Sequence, residues 1–337
     1  MNTTISSIDD LRALLRALPG PDAAAHAAWA AREPMLTKPP GALGRLEELA
    51  AWMAAWQGRH PPTCARPSAR VYAGNHGVAA LGVSAFPPEV TVQMVANFRH
   101  GGAAINQLCA AFGTELDVVA LDLDRPTADF THGPAMTETD FVAAFRAGME
   151  SVPADTDLLA IGEMGIGNTT PAAAIPCALF GGEAAEWTGR GTGVAGAALA
   201  RKTEVVAAGV VLHKGAPPLE IARRLGGREL AAMAGAVVAA RLARVPVLLD
   251  GYVCTAAVAP LAAECPTALD HCMVAHASAE PGHRRLVEAL GKTPLLDLGM
   301  RLGEASGAAL AVGLVKAAVA CHAGMATFGE AGVAEGE

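Results

Sequence analysis

The sequence predicts an α/β fold, a mostly parallel sheet with helices on both faces, plus a small helical domain from the two ends of the chain. Three observations predict it. Five short runs are apolar at nearly every position, helical patterns lie between them, and each run ends in Gly, Asp, His or Ser. Strands that read as continuous apolar runs are buried on both faces, as in parallel sheets covered by helices. The 337 residues include 37 glycines and only 4% aromatics. That mixture suits small-residue helices packed closely on a sheet better than an all-β fold.

In chain order, residues 8–18 and 45–57 read as amphipathic helices. The second carries Leu46, Leu49, Ala50, Met53 and Trp56 at helical spacing. "TKPPGALG" (37–44) is a turn-rich entry to it, and Lys38 there reads as a surface charge, with a pocket cation as the alternative. The five strands are expected at "ARVYAG" (69–74), "LDVVALDL" (116–123), "DLLAIG" (157–162), "VPVLLD" (245–250) and "CMVAHAS" (272–278). Ligands of such sheets bind beyond the carboxyl ends of the strands. Attention therefore falls on "NHG" (75–77), "EMGIGN" (163–168), "DGY" (250–252) and "SAE" (278–280). Residues 1–60 and 306–325, with no strand beside them, are expected to pack together as the small domain. Residues 61–305 then form the large one, and 326–337 a flexible tail.

Composition excludes several classes. The net charge is −8 and no long basic run occurs, so neither nucleic acid nor an anionic membrane is an expected partner. Seven cysteines are scattered without a C-x-x-C pair, which points to free thiols in a reducing cytoplasm. The amino-terminal stretch lacks the basic start and apolar core of a signal peptide. The most apolar windows, 231–250 and 305–321, are interrupted by Arg241, Arg244 and Lys316, so no membrane span is expected.

"GEMGIGNTTP" (162–171) follows a strand and leads into an alanine-rich helix. Gly162, Gly165 and Gly167 let backbone amides approach a ligand, and the helix start favours an anion. A plain tight turn is the alternative, and the motif is neither a Walker loop nor a dinucleotide fingerprint. Glu163 would repel a phosphate, so it must face a cationic or proton-releasing part of the ligand. "TGRGTGVAGAALARK" (188–202) is a second glycine-rich turn entering a helix, with Lys202 three turns in. Two such loops and a lysine suit one phosphate monoester; an exposed helix charge is the other reading of Lys202. His76, just past a strand end, reads equally as structural or catalytic. The loop from Gly82 to Pro88 carries Phe86 as an apolar wall. Asp122 and Asp124 lack the phosphate-cradling loop that diphosphate-dependent transferases place after an acidic strand end, and read as ordinary polar residues. His76, His100, His213, His276 and His283 stand apart, without metal-ligand spacing. In "RLGEASGAAL" (301–310), Glu304 sits among residues that exclude water. A carboxylate there costs several kcal/mol unless it is paired, protonated or useful as a base.

Taken together, "TKPPGALGRLEELA", "NHG…GVSAFPPEVT", "GEMGIGNTTPAAAI", "LLDGY", "SAEPGH" and "MRLGEASGAAL" resemble the nicotinate-nucleotide–dimethylbenzimidazole phosphoribosyltransferases of cobalamin lower-ligand synthesis, from about residue 36 to 325. The resemblance implies transfer of the phosphoribosyl group of nicotinate mononucleotide to 5,6-dimethylbenzimidazole, on a Rossmann-like sheet, in a homodimer. It implies Glu304 as general base and Glu163 as a second carboxylate beside the ribose. It places Gly165, Gly191, Lys202 and Ser278 around the phosphate, and Met164 and Leu302 against the base, with Asp250 in support. Some members carry serine and glutamine where this chain has Phe86 and Met94, and "DHG" where it has Asn75. Because the leaving pyridinium departs as a neutral ring, no metal or other cofactor is expected. Transfer to adenine, another benzimidazole or a phenol, and non-catalytic nucleotide binding, remain the alternatives.

Overall fold

The computed structural model describes residues 5–334. Five strands form one all-parallel sheet: β1 (Pro67–Ala73), β2 (Glu115–Ala120), β3 (Leu158–Met164), β4 (Val247–Leu249) and β5 (Cys272–Val274), in the order β2-β1-β3-β4-β5. The apolar runs therefore become strands where the sequence places them. β4 and β5 are shorter than their apolar runs, because Asp250, His276 and Ser278 leave the ladder to face a cavity.

Residues alternate across the sheet, so β3 sends Leu158 and Ala160 into one apolar cluster and Leu159 and Ile161 into the other. On the first face lie the helices Arg45–Gln57, Ala104–Phe112 and Ser306–Gly324. On the second lie Glu138–Glu150, Thr169–Phe180, Arg228–Leu242 and Tyr252–Glu264. The helices Arg45–Gln57 and Ser306–Gly324, from the two chain ends, pack together on the first face. Ile8, Leu11 and Leu15 of the helix Ile8–Arg16 join the second face, whereas Ala308, Ala311, Val312 and Val315 pack against Val71, Ala160 and Leu248 on the first. The C-terminal helix is apolar around most of its circumference and so needs the sheet as well as the helix Arg45–Gln57 to cover it. It is long and apolar enough to cross a bilayer by length and composition, but its packing is that of a core helix.

The expected tail begins differently too. Thr327 bridges to Leu36 and caps a helical turn, Phe328–Ala331; residues 335–337 of that stretch, like 1–4, lie outside the described residues. Lys38 is neither a surface charge nor a pocket cation. Its Nζ is buried between Glu33 and Glu47, at 2.8 Å from each. Burial alone would lower its pKa, but the two carboxylates outweigh it and raise it.

The helices Glu138–Glu150 and Arg228–Leu242 meet through glycine. A Cβ at Gly148 would collide with the Ala232 carbonyl, and one at Gly235 with that of Phe145. We predict that Gly235→Ala destabilises the protein by about 1–3 kcal/mol, read as a lower urea midpoint, because backbone cannot yield as a side-chain tip does. An unchanged midpoint would mean that the two helices are free to separate.

Candidate active site

A cavity of about 380 Å³ opens over the carboxyl ends of β3, β4 and β5. The strand order changes direction between β1 and β3, where ligands of such sheets are expected. The cavity lies to one side of that point because the end of β1 is already filled. His76 pairs there with the buried Glu229, and Asn75 donates to the Leu123 carbonyl at 2.9 Å. Neither is in the cavity wall, which settles His76 as structural.

Glu304 stands at the cavity wall, 7% exposed, just before the helix Ser306–Gly324. It and Ala305 have φ of +61° and +63°, left-handed values that disfavour side chains by about 1–2 kcal/mol each. The surroundings enforce that turn. Asp250 Oδ1 accepts the Ala308 N–H at 2.9 Å, serving the first turn of a helix whose own N-cap residue, alanine, cannot. Ser306 Oγ donates to the Gly303 carbonyl at 2.7 Å. Gly162, on β3, lies so close that a Cβ would strike Ala305 N, and a Cβ at Gly303 would strike Glu163 Oε1. The small residues around Glu304 thus let two acidic side chains share one wall.

Both carboxyl groups are pushed upward. Burial, and then Asp250, raise Glu304 to about 7. Burial raises Glu163 to about 8, with Asp250, Glu229 and Glu304 adding to it and the hydrogen bond from Asn168 Nδ2 opposing it. Glu163 therefore holds its proton near neutral pH in the empty cavity, while Glu304 is divided between its two forms.

One end of the cavity suits an anion. Gly165 and Ile166 precede the helix Thr169–Phe180, and a Cβ at Gly165 would come within 2.7 Å of the Gly74 carbonyl. Opposite lies Gly191, with φ +50°, whose N–H donates to Glu280 Oε1 and whose carbonyl accepts from Arg301 Nη1, both at 3.0 Å. Ser278 lines the cavity between them. Lys202 is placed differently from either sequence reading. It is fully buried behind the wall, donating to Thr169 Oγ1 at 2.7 Å and to the Gly189 carbonyl at 3.0 Å. Burial lowers its pKa to about 8 despite the favourable field of Glu280. It braces the two glycine turns from below. The apolar part of the lining is Phe86, Met94, Met164 and Leu302; Phe86 and Leu302 are half exposed.

The structure thus brings Glu163, Glu304, Asp250, Gly165, Gly191, Ser278, Phe86, Met94, Met164 and Leu302 to one cavity and leaves Lys202 behind it. Sequence reasoning missed Asn168, Thr169, His276, Glu280 and Arg301, which also line it. Asn168 and Thr169 stand inside the first glycine motif and Arg301 beside Leu302. His276 and Glu280 flank Ser278 at alternate positions, a spacing that sends all three to one side of an extended chain. No group of three or more acidic, histidine or cysteine side chains among the described residues is arranged to hold a metal.

A carboxyl group that keeps its proton only in the folded state weakens that state as pH rises from its unfolded value to its folded one. For Glu163 that window runs from the ordinary 4.5 to about 8. We predict that Glu163→Gln raises the melting temperature relative to wild type, with a difference that grows from pH 5 to pH 8 and is flat above. A difference independent of pH would show that Glu163 is ionised throughout.

The comparisons with known proteins agree with this geometry. A phosphoribosyltransferase family model, DBI_PRT, matches residues 18–333. The chain is 61% identical, over the whole of both chains, to the nicotinate-nucleotide–dimethylbenzimidazole phosphoribosyltransferase of Ruegeria pomeroyi, and equally to that of Cereibacter sphaeroides. The crystal structure of CobT from Thermus thermophilus superposes with a TM-score of 0.86 at 44% identity, covering 93% of this chain and all of that one. With its parallel sheet, its cavity and full-length identity at this level, the chain belongs to the nicotinate-nucleotide–dimethylbenzimidazole phosphoribosyltransferase family.

Proposed function

We infer that this cavity transfers the phosphoribosyl group of nicotinate mononucleotide to 5,6-dimethylbenzimidazole, giving α-ribazole 5′-phosphate and nicotinate. The observation that carries the reading is Glu304, raised to about 7 and lining one cavity with two glycine turns, Arg301 and the apolar side chains of Phe86, Met94, Met164 and Leu302. The bond from C1′ to the pyridinium nitrogen breaks, and its electron pair returns to the ring, which leaves neutral at nitrogen. The azole nitrogen attacks C1′ from the opposite face, so the anomeric centre inverts to α. The azole then carries a positive charge, and its other N–H becomes acidic. Glu304 accepts that proton; a base with a pKa near the working pH is the efficient one.

Glu163 serves the charge at C1′. It is protonated in the empty cavity, and the arriving pyridinium favours its ionised form. The carboxylate then lies beside the positive charge that grows on the ribose as the bond breaks. Amides of the Gly165 and Gly191 turns, the Ser278 hydroxyl and Arg301 suit the phosphate, with Lys202 stiffening both turns from behind. The walls at Phe86 and Met94 offer no hydrogen bond, which favours a methyl-bearing edge over the amino edge of adenine.

The test is a product assay with nicotinate mononucleotide and a panel of bases, run on wild type and Glu304→Gln. Wild type should form the α-ribotide of dimethylbenzimidazole, with kcat rising through pH 7. Glu304→Gln should lose about 10²–10⁴-fold in kcat while still binding the nucleotide. Near-normal turnover by the variant would remove Glu304 as the base, and nucleotide binding with no product from any base would leave a binding protein.

The reading extends to assembly and compartment. We propose that two copies associate over the cavity mouth, supported by Phe86, Val92, Leu298 and Leu302, which are 47–58% exposed. Sedimentation should give twice the chain's 34.1 kDa, and Phe86→Asp with Leu302→Asp should halve it; a monomeric wild type would end this part. Seven free cysteines favour a reducing compartment.

A further inference from the structure

We propose that His276 is a positioning residue of this site, fixing the placement and basicity of Glu304 through Asp250. The proposal rests on the reading of Glu304 as the base but is tested apart from it. His276 is 1% exposed and lines the cavity, yet neither ring nitrogen has a hydrogen-bond partner. Its Nε2 lies 3.5 Å from Asp250 Oδ1, and Asp250 Oδ2 is also unpartnered. Three buried polar atoms without partners are unusual in so small a space and mark a group held for use. Room for the ring is made on two sides by glycine. A Cβ at Gly307 would collide with its Cδ2, and one at Gly251 would come within 3.0 Å of Nε2.

These contacts run in series. His276 bears on Asp250 and on the first turn of the helix Ser306–Gly324; Asp250 holds the Ala308 N–H of that turn; Glu304 and Ala305 form the left-handed step into it. Moving the imidazole would release both supports of the step. The electrostatics run along the same path. The titratable groups facing His276 are Asp250 at the end of β4, Asp297 after the helix Pro281–Ala289, and His283 on that helix, which burial lowers to about 3 and so keeps neutral. Burial disfavours the imidazolium, but the nearby Asp250 carboxylate outweighs it, so the net shift is upward from 6.5. Glu304 faces Asp250, with Glu163, Glu280 and Arg301 on the same cavity. Asp250 opposes ionisation of Glu304, and a protonated His276 beside Asp250 offsets part of that opposition.

The experiment follows Glu304 directly, as the ¹³C carboxyl signal of labelled protein that disappears in Glu304→Gln. In His276→Gln, which keeps a donor but no charge, the titration of Glu304 should move up by about one pH unit, and the acid limb of kcat should move with it. In Asp250→Asn it should move down, and adding His276→Gln to that variant should shift it no further. A His276→Gln protein that melts like wild type and titrates Glu304 at the unchanged pH overturns the proposal. A measurement that needs no His276 variant stands beside it: the ¹⁵N ring signals of wild type should report His276 more than half protonated at pH 6.5, falling below half in Asp250→Asn. A neutral ring in wild type overturns the proposal as well. Unimpaired turnover by Glu304→Gln would instead sink the base assignment and leave the titration shifts to decide the role of His276.

Discussion

The hydrogen bond from Ala308 N–H to Asp250 joins the sheet to the catalytic turn. Asp250 closes β4 and is fully buried; the turn it holds contains two non-glycine residues in left-handed conformation, one of them Glu304, the proposed base. Without that acceptor the start of the C-terminal helix would have an orphan amide in a dry place, and the strained step before it would relax. The same carboxylate opposes ionisation of Glu304 and Glu163. One side chain thus fixes both the position of the base and its strength.

Such a site is expensive to build. Glu163, Asp250, Glu280 and Glu304 are each at most 8% exposed, and all line one cavity. Their mutual repulsion is contained in three ways. Glu163, raised to about 8, keeps its proton near neutral pH; a carboxamide and an amide donate to the acids, as Asn168 does to Glu163 and Gly191 does to Glu280; and, on the proposed function, the cationic half of the substrate supplies the missing charge. The third explains why a cavity of acids suits a pyridinium nucleotide.

Glycine gives the cavity its dimensions. Gly162 lets the sheet touch Ala305, Gly303 makes room for Glu163, and Gly307 makes room for His276. Gly162 faces backbone and Gly307 a buried ring, neither of which can retreat, while Gly303 faces the carboxyl tip of Glu163. The rigidity is reinforced from behind, where Lys202 ties the start of the helix Thr169–Phe180 to Gly189.

The sequence by itself determined the strands, their parallel character, and the motifs that meet at one end of the sheet. Continuous apolar runs, glycine turns and a carboxylate among small residues are local signals, and local chemistry suffices to read them. Glu304, Glu163 and Phe86 stood out for that reason, whereas Ser278, Met94, Met164 and Leu302 entered only through the family resemblance. The tertiary structure alone decided which charges reach the ligand and which do not. Lys38 and Lys202 look alike as cations beside glycine turns, but one is locked between two glutamates and the other lies behind a wall. His76 and His276 both follow strand ends; one is consumed by Glu229 and the other is left unpartnered beside Asp250. The helix Ile8–Arg16 goes to one face of the sheet, while Arg45–Gln57 and Ser306–Gly324 share the other. Pairing and burial depend on which side chains the fold brings together, whether nearby in sequence, as Glu33 and Glu47 are to Lys38, or distant, as Glu229 is to His76.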